Sequence, residues 1–579
     1  DQLDQARVIS SPGRSHPVDV IHQPPRPEEP LERQVVRGLE HHWLDQRGDG
    51  ETVLVFLPGQ REIRTAQRAI ASSDWGATIE CLALHGDLPL RQQHQAIASA
   101  PRAAGKVVLA TSIAESSLTI HGVRLVIDSG LSRRSRYNPA SGMEGIVTVL
   151  ASRASAEQRR GRAGRLGPGR CLRLWSAGDE QRRPAYDLPE VLETDLLPIA
   201  LELAQWGDDA AGDLPWLQAP PASSLRESRT FLRHLGAIED NGTITEHGKA
   251  MARLGLHPRL SHMLLEGHKH GWLNLACELA ALLSERDPLP RREAGCDLMQ
   301  RLDWLRAASR TRAAVAPQPL SRCREQRHLE RLISQLRHRV LHDADALSRD
   351  QRTRPGRGGL PGPSEPKPEA GQRTDASPTA EAEDTIVSRL ISWAYPDRIA
   401  LSRGGSDGRF LMRGGRGAVL ATQDCLASAA ALAIAAVDGQ GPEGRVLLAV
   451  RMDPSVLEEH AIQDGQFETR IWWDKSAQRV RGEQVLQLGA LTLECTVWSD
   501  PDPDAIAEAM LGGVRQMGVD CLPWTPRARQ LQQRLALAHR LLGDPWPDRR
   551  WEQLEPDLES WLRPHIIGMR SRGELVRLD

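Results

Sequence analysis

Between residues 52 and about 175, short apolar runs alternate with helix-patterned stretches, and no other feature restricts the fold of this chain so tightly. "TVLVFL", "LALHG", "KVVLA" and "VRLVIDS" are rich in Val, Leu and Ile, while "REIRTAQRAIA" and "LRQQHQAIASA" between them carry apolar residues at helical spacing. Continuous apolar strands separated by helices argue for a parallel sheet covered on both faces. Ligands of such sheets gather at the carboxyl ends of the strands.

The rest of the chain is organised differently. At 579 residues it exceeds one core, since roughly 150 residues serve a domain. From about 183 the pattern turns helical. "FLRHLGAIEDNGTITEHGKAMARL" (231 to 254) reads as helix, a tight two-strand wing around Asn241-Gly242, then helix, a pattern that resembles a winged helix. Residues 259 to 346 read as wholly helical, with Leu275, Leu279 and Leu282 packing against sister helices. The stretch from 348 to 384 has almost no large apolar residue and is predicted to be linker. After it, "RIALSR", "GRFLMRGGRGAVL", "RVLLAVRMD", "TRIWWDKSAQRV" and "GALTLECTVW" read as antiparallel strands. "LASAAALAIAAV" (426 to 437) is too short to span a bilayer and is predicted to be a buried helix. The eight cysteines are scattered singly, without a C-x-x-C pair, so neither a zinc site nor a disulfide framework is expected, and a reducing cytoplasm is the plain reading. The chain opens on Asp1 and closes in "SRGELVRLD", and is read as part of a longer protein.

"QRRGRAGR" (158 to 165) places four arginines in eight residues of a chain whose formal net charge is -2. Arg outnumbers Lys throughout, so spacing rather than Arg content carries the signal. Ser155 followed by Gln158 has the form of a capping box, which predicts that the motif opens a helix. On that helix Arg162 and Arg165 share a face, and Gly161 and Gly164 leave room for a close neighbour. Two guanidinium forks aimed one way suit a phosphate.

"FLPGQREI", "LHGDLP", "VVLATSIAESSLTIHG" and "QRRGRAGR" stand in the order and spacing of the second RecA-like lobe of DEAH-box helicases. "LGAIEDNGTITEHGKAMARLGLHPRLSHMLL" resembles the winged-helix and ratchet region of that family, and "AYPDRIALSR" with "RGGRGAVL" resembles the C-terminal region of its bacterial HrpB-type members. The resemblance implies a multidomain α/β chain: a RecA-like parallel-sheet lobe over 1–182, a winged helix over 183–258, a helical ratchet domain over 259–346, a linker over 347–384, and a β-rich, OB-like region with terminal helices over 385–579. It implies that Gln158, Arg162 and Arg165 face a nucleotide held by a partner lobe, Arg165 as the arginine finger, with Gly161 and Gly164 allowing close approach. Arg159 and Arg160 are expected to be solvated or to pack the helix. Thr111, Ser112 and Ser116 would grip the phosphate backbone of a single strand, with Glu115 orienting that loop. "RLVIDSGLSRRSRYNPASGMEGIVTVL" (124 to 150) is similar to the family's strand-parting β-hairpin and would carry Arg136; a hairpin that shields the sheet edge is the other reading. Two positions depart from the family: His121 where relatives hold an acidic residue toward the ribose, and Ile97 where several stack a Phe on the base, from which loose base selectivity is expected.

The sequence contains no G-x-x-x-x-G-K-[ST] and no D-E-A-H. The resemblance therefore implies ATP with Mg2+ held mainly by a first RecA-like lobe in cis, and a chain that lacks ATPase activity alone. It further implies single-stranded RNA as partner, 3′ to 5′ polarity, a monomer and no membrane. Two other readings stay open, a non-enzymatic nucleic-acid-binding or adaptor protein and DNA in place of RNA, because 2′-OH contacts cannot be placed from sequence.

Overall fold

The computed structural model describes residues 16–46, 50–99, 105–116, 118–138, 143–207, 214–289, 294–311, 320–353, 382–404, 407–438, 443–498 and 502–578. Residues 1–261 form one compact unit; 262–437 together with 441–579 form the other.

The first unit is built on a six-stranded sheet: β1 (Val18–His22), β2 (Thr52–Phe56), β3 (Ile79–Leu84), β4 (Gly105–Ala110), β5 (Val123–Asp128) and, after a hairpin, β8 (Gly169–Arg173). Their order is β1–β8–β5–β2–β4–β3 and every pairing is parallel. All five residues of β2 and all six of β4 are buried, which is why those runs do not alternate polar with apolar. One face packs Val53, Val55, Val107, Leu109, Leu125 and Ile127 against helices α1 (Leu31–His42) and α2 (Gln60–Ala71). Ile63, Ala66 and Ile70 of α2 supply the stripe, three and four residues apart. The other face packs Leu54, Phe56, Val108 and Val126 against Ala96 of α3 (Leu90–Ile97) and against Ala114 and Ala163. Lys106 is 1% exposed; its Nζ donates to the carbonyls of Gln95 (3.0 Å) and Ala98 (2.6 Å) at the end of α3, where a cation meets the helix dipole.

β6 (Leu131–Asn138) and β7 (Met143–Leu150) form a separate two-stranded antiparallel sheet, with Leu131 opposite Leu150 at its base. Among the described residues they pair with neither edge strand of the large sheet. Pro139 at its predicted turn lies outside the described residues.

A short α4 (Ile113–Ser116) follows β4, and α5 (Arg153–Gly161) follows β7. Beyond α6 (Ala177–Arg182) and α7 (Leu197–Trp206), the predicted winged pattern is present: α8 (Ala222–His234), an Ile238–Ile244 bridge around Asn241-Gly242, and α9 (Glu246–Leu254).

In the second unit, helices span Leu273–Ser284, Leu298–Thr311 and Leu320–Thr353, the last running into the stretch predicted to be linker; 354–381 lie outside the described residues. The later strands β9 (Ile399–Ser402), β10 (Arg409–Met412), β11 (Gly417–Val419), β12 (Ala431–Val437) and β13 (Glu443–Arg451) close a five-stranded barrel in the order β10–β11–β13–β12–β9. One of its pairings, β11 with β13, is parallel rather than antiparallel. The buried helix predicted at 426–437 is instead turn followed by strand β12, which pairs with both β9 and β13. Alanine's helix preference, well under 1 kcal/mol per residue over most alternatives, yields there to barrel closure. A three-stranded antiparallel sheet, β14 (Gln466–Asp474), β15 (Arg479–Leu488) and β16 (Leu491–Val497), then packs on the helix Pro503–Met517; a Cβ at Gly513 would lie 2.4 Å from the Trp473 ring, so the contact needs glycine. Among the described residues no disulfide forms and no helix is long and apolar enough to cross a membrane.

Candidate functional site

The carboxyl ends of β2, β4 and β5 bring three segments together. β4 ends at Ala110, and Thr111 and Ser112 begin the loop there: the Thr111 N–H donates to Leu84 (3.2 Å), and the Thr111 and Ser112 carbonyls accept from Ala114 (3.3 Å) and Glu115 (2.9 Å) as α4 starts. Thr111 is half-buried and Ser112 is exposed. Ser116 closes α4, its side chain outside the described residues. Arg136 is exposed on β6, opposite Gly145.

The motif helix starts earlier than the capping box predicts. Ser152 is the N-cap, its hydroxyl accepting from the Ser155 N–H at 3.1 Å, so Ser155 lies inside the first turn of α5. The helix ends at Gly161, so Arg162 sits at the C-cap and Arg165 in the bend beyond; the two do not share a helical face. They converge nevertheless, on α4 and the residues just after it. Arg162 donates to the carbonyl oxygens of Leu118 (2.8 Å) and Glu115, and Arg165 donates from Nη1 to Thr119 Oγ1 (2.8 Å). Arg162 is 6% exposed and points inward; burial and the charge of Arg165 push its pKa down. Arg165 and Gln158 are exposed.

The two motif glycines differ. A Cβ on Gly161 would meet nothing within 4 Å, whereas one on Gly164 would lie 2.7 Å from the His16 carbonyl oxygen and 2.8 Å from Val18 Cγ2. Gly164 is thus explained by the close passage of the chain entering β1, whose His16 N–H donates to the Gly164 carbonyl at 2.9 Å. Ile97 packs into the sheet core from α3 instead of standing out as a stacking platform, and His121 is exposed.

Sequence reasoning missed a buried charge cluster beneath this surface. Arg159, 1% exposed, donates from Nε to Glu115 Oε1 (2.7 Å), from Nη1 to Asp128 Oδ1 (2.7 Å) and the Leu131 carbonyl (3.3 Å), and from Nη2 to Ser132 Oγ (2.6 Å). Its guanidinium lies 5.1 Å from the Phe56 ring centroid. Burial alone would lower the Arg159 pKa, but the Asp128 and Glu115 carboxylates raise it above its ordinary value. Removing it would strand Asp128, which is fully buried, at a cost on the order of 3–5 kcal/mol. The signal was available: an Asp ending the apolar run "VRLVID" inside a parallel sheet needs a buried cation. Arg160, by contrast, makes an exposed pair with Glu157 (2.8 Å) worth under about 1 kcal/mol.

A parallel sheet with a hydroxyl loop at its carboxyl edge and an arginine-rich helix beside it defines a RecA-like lobe of the helicase type, and residues 34–167 match the family "Helicase conserved C-terminal domain". The whole chain is 34% identical, over 581 aligned residues, to the ATP-dependent RNA helicase HrpB of Escherichia coli (strain K12), and half of it is 33% identical to the ATP-dependent RNA helicase HrpA of that organism, of which it covers 22%. The crystal structure of E. coli DExH-box NTPase HrpB superposes with a TM-score of 0.69 at 32% identity, covering all of this chain. The chain is thus similar along its whole length to HrpB, and the match to the helicase C-terminal domain falls on the lobe that carries the site. The chain spans 64% of the length of that HrpB relative.

Proposed function

We propose that this chain supplies the second RecA-like lobe and the accessory domains of an ATP-dependent RNA helicase, one that couples ATP hydrolysis to 3′ to 5′ movement along single-stranded RNA and to duplex unwinding. The observation that carries the reading is the convergence of Arg162 and Arg165 on the segment 115–119, which continues directly from the Thr111–Ser112 loop. In this reading one end of that segment would feel a phosphate group and the other a nucleic-acid backbone.

The residues present fit one side of a nucleoside triphosphate. Arg165 and Gln158 are exposed beside the open surface at Gly161, while the sequence holds no P-loop pattern to cradle the phosphates or carry Mg2+. ATP with Mg2+ would be held mainly by a P-loop lobe in cis, and this lobe would supply Arg165 to developing charge on the γ-phosphate. Arg162 can join it only by exchanging the Glu115 and Leu118 carbonyls for phosphate oxygens. On the nucleic-acid side, Thr111, Ser112, Ser116 and Arg136 are the contacts proposed. The protein would act as a monomer in the cytoplasm.

Binding of a labelled single-stranded RNA, followed by fluorescence anisotropy against salt, tests the nucleic-acid half. Thr111→Ala with Ser112→Ala is expected to weaken binding about tenfold, equally for different sequences, because backbone contacts read no bases. Loss confined to one RNA sequence, or no loss, contradicts the assignment. A DNA strand of the same sequence in the same titration reports whether the sugar matters.

A further inference from the structure

Arg159 occupies the middle of a contact set that joins three segments distant in sequence. Its donors reach Glu115 on α4, Asp128 at the end of β5, and Leu131 and Ser132 in the first two residues of the hairpin. A guanidinium carries five N–H donors in a fixed fork. Glu115 also pairs with Nη2 at 2.6 Å, so five contacts match five donors and the side chain has no slack.

A second buried arginine closes the other side of the hairpin base. Arg183, 4% exposed, donates from Nη1 to the carbonyls of Gly130 (2.7 Å) and Ala151 (3.0 Å), the residues just before β6 and just after β7. Those two are themselves bonded, Ala151 N–H to Gly130 carbonyl at 2.9 Å, and Arg183 stacks 3.9 Å from the Trp175 ring centroid. A Cβ at Gly130 would fall 2.2 Å from Arg183 Nη2; with φ +70°, that residue is glycine on two counts. The hairpin is therefore held rigidly at its root, and Arg159 is the side chain that links this root to α4.

We infer that Arg159 is a positioning residue that makes the loop 111–116 and the root of the β6–β7 hairpin move as one body, so that a strand gripped by the loop transmits its displacement to the hairpin. A lysine at the same place could satisfy Asp128 but could not span Glu115 and Ser132 together, because it offers a single point of charge instead of a fork. The inference rests on the nucleic-acid reading only for what pulls on the loop; the mechanical link itself is a property of the lobe.

Hydrogen exchange of the whole chain, with and without a single-stranded RNA, separates the two. Without RNA, Arg159→Lys is expected to speed exchange about tenfold or more in both 113–119 and 131–135 while leaving β3 and α2 unchanged. Glu115→Ala, which leaves Arg159 paired with Asp128 and so keeps the buried charge compensated, should loosen the loop and leave the hairpin root as in the parent. With RNA, the parent is expected to gain protection at both segments; Glu115→Ala should keep gain at 111–116 and lose it at 131–135. Loosening confined to one segment in Arg159→Lys, or RNA-dependent protection of 131–135 that survives Glu115→Ala, overturns the inference. If the parent gains no protection from RNA anywhere, the nucleic-acid reading fails, and the RNA-free comparison still decides whether the link exists.

Discussion

Gly164 and Gly161 stand three residues apart in one motif, and the space around them assigns them different work. An alanine at 164 must displace the backbone entering β1, an overpacking expected to cost about 1–3 kcal/mol. An alanine at 161 ends a helix in open space and should be neutral or stabilising by up to about 1 kcal/mol. Thermal unfolding of the two variants checks this; equal losses in both would contradict it. The same scale explains what the sequence could and could not convey about the site. Ser112 and Arg165 are legible because each is a polar residue just past a strand end or beyond a helix, where exposure follows from position, and Gln158 is exposed on α5 itself. Arg159 and Arg162 carry the same side chain as Arg165 and are buried, because their partners, Asp128 and two backbone carbonyls, come from segments roughly 30 to 50 residues away. No local pattern records such a pairing.

Among elements, the strands of the parallel sheet are readable because burial on both faces removes polar residues from them. The start of α5 is not: Ser152 and Ser155 both have the form of an N-cap, and only the path of the chain leaving β7 selects Ser152. Strand β12 is hidden for a related reason, since a run of alanines has no period and its barrel partners lie elsewhere. A pH test belongs at this scale. Asp195, just before α7, pairs with His257, in the turn before Pro258, at 3.1 Å. Burial would raise the Asp195 pKa, but the His257 hydrogen bond and charge, the Leu197 N–H and Arg259 together hold it below its ordinary 3.8. A depressed carboxylate stabilises the fold fully above its unfolded value and loses that contribution as pH falls through the folded value. The Tm gap between the parent chain and Asp195→Asn should therefore shrink as pH falls below about 4 and the Asp195 carboxylate is protonated. A gap that grows in acid contradicts the pairing.

For the molecule as a whole, two compact units and a β-barrel after a long helix give a chain in which one lobe carries the arginines and the hydroxyl loop, and 34% identity to HrpB extends over all of it. In the function proposed, Arg165 meets a phosphate that a different lobe holds. RNA-stimulated ATP hydrolysis measures it, by this chain alone and by the chain joined to a lobe that carries a P-loop, each with and without Arg165→Ala. Hydrolysis is expected only in the joined protein, with Arg165→Ala lowering kcat on the order of a thousandfold. Hydrolysis by the chain alone, or a joined protein indifferent to Arg165, would contradict the account.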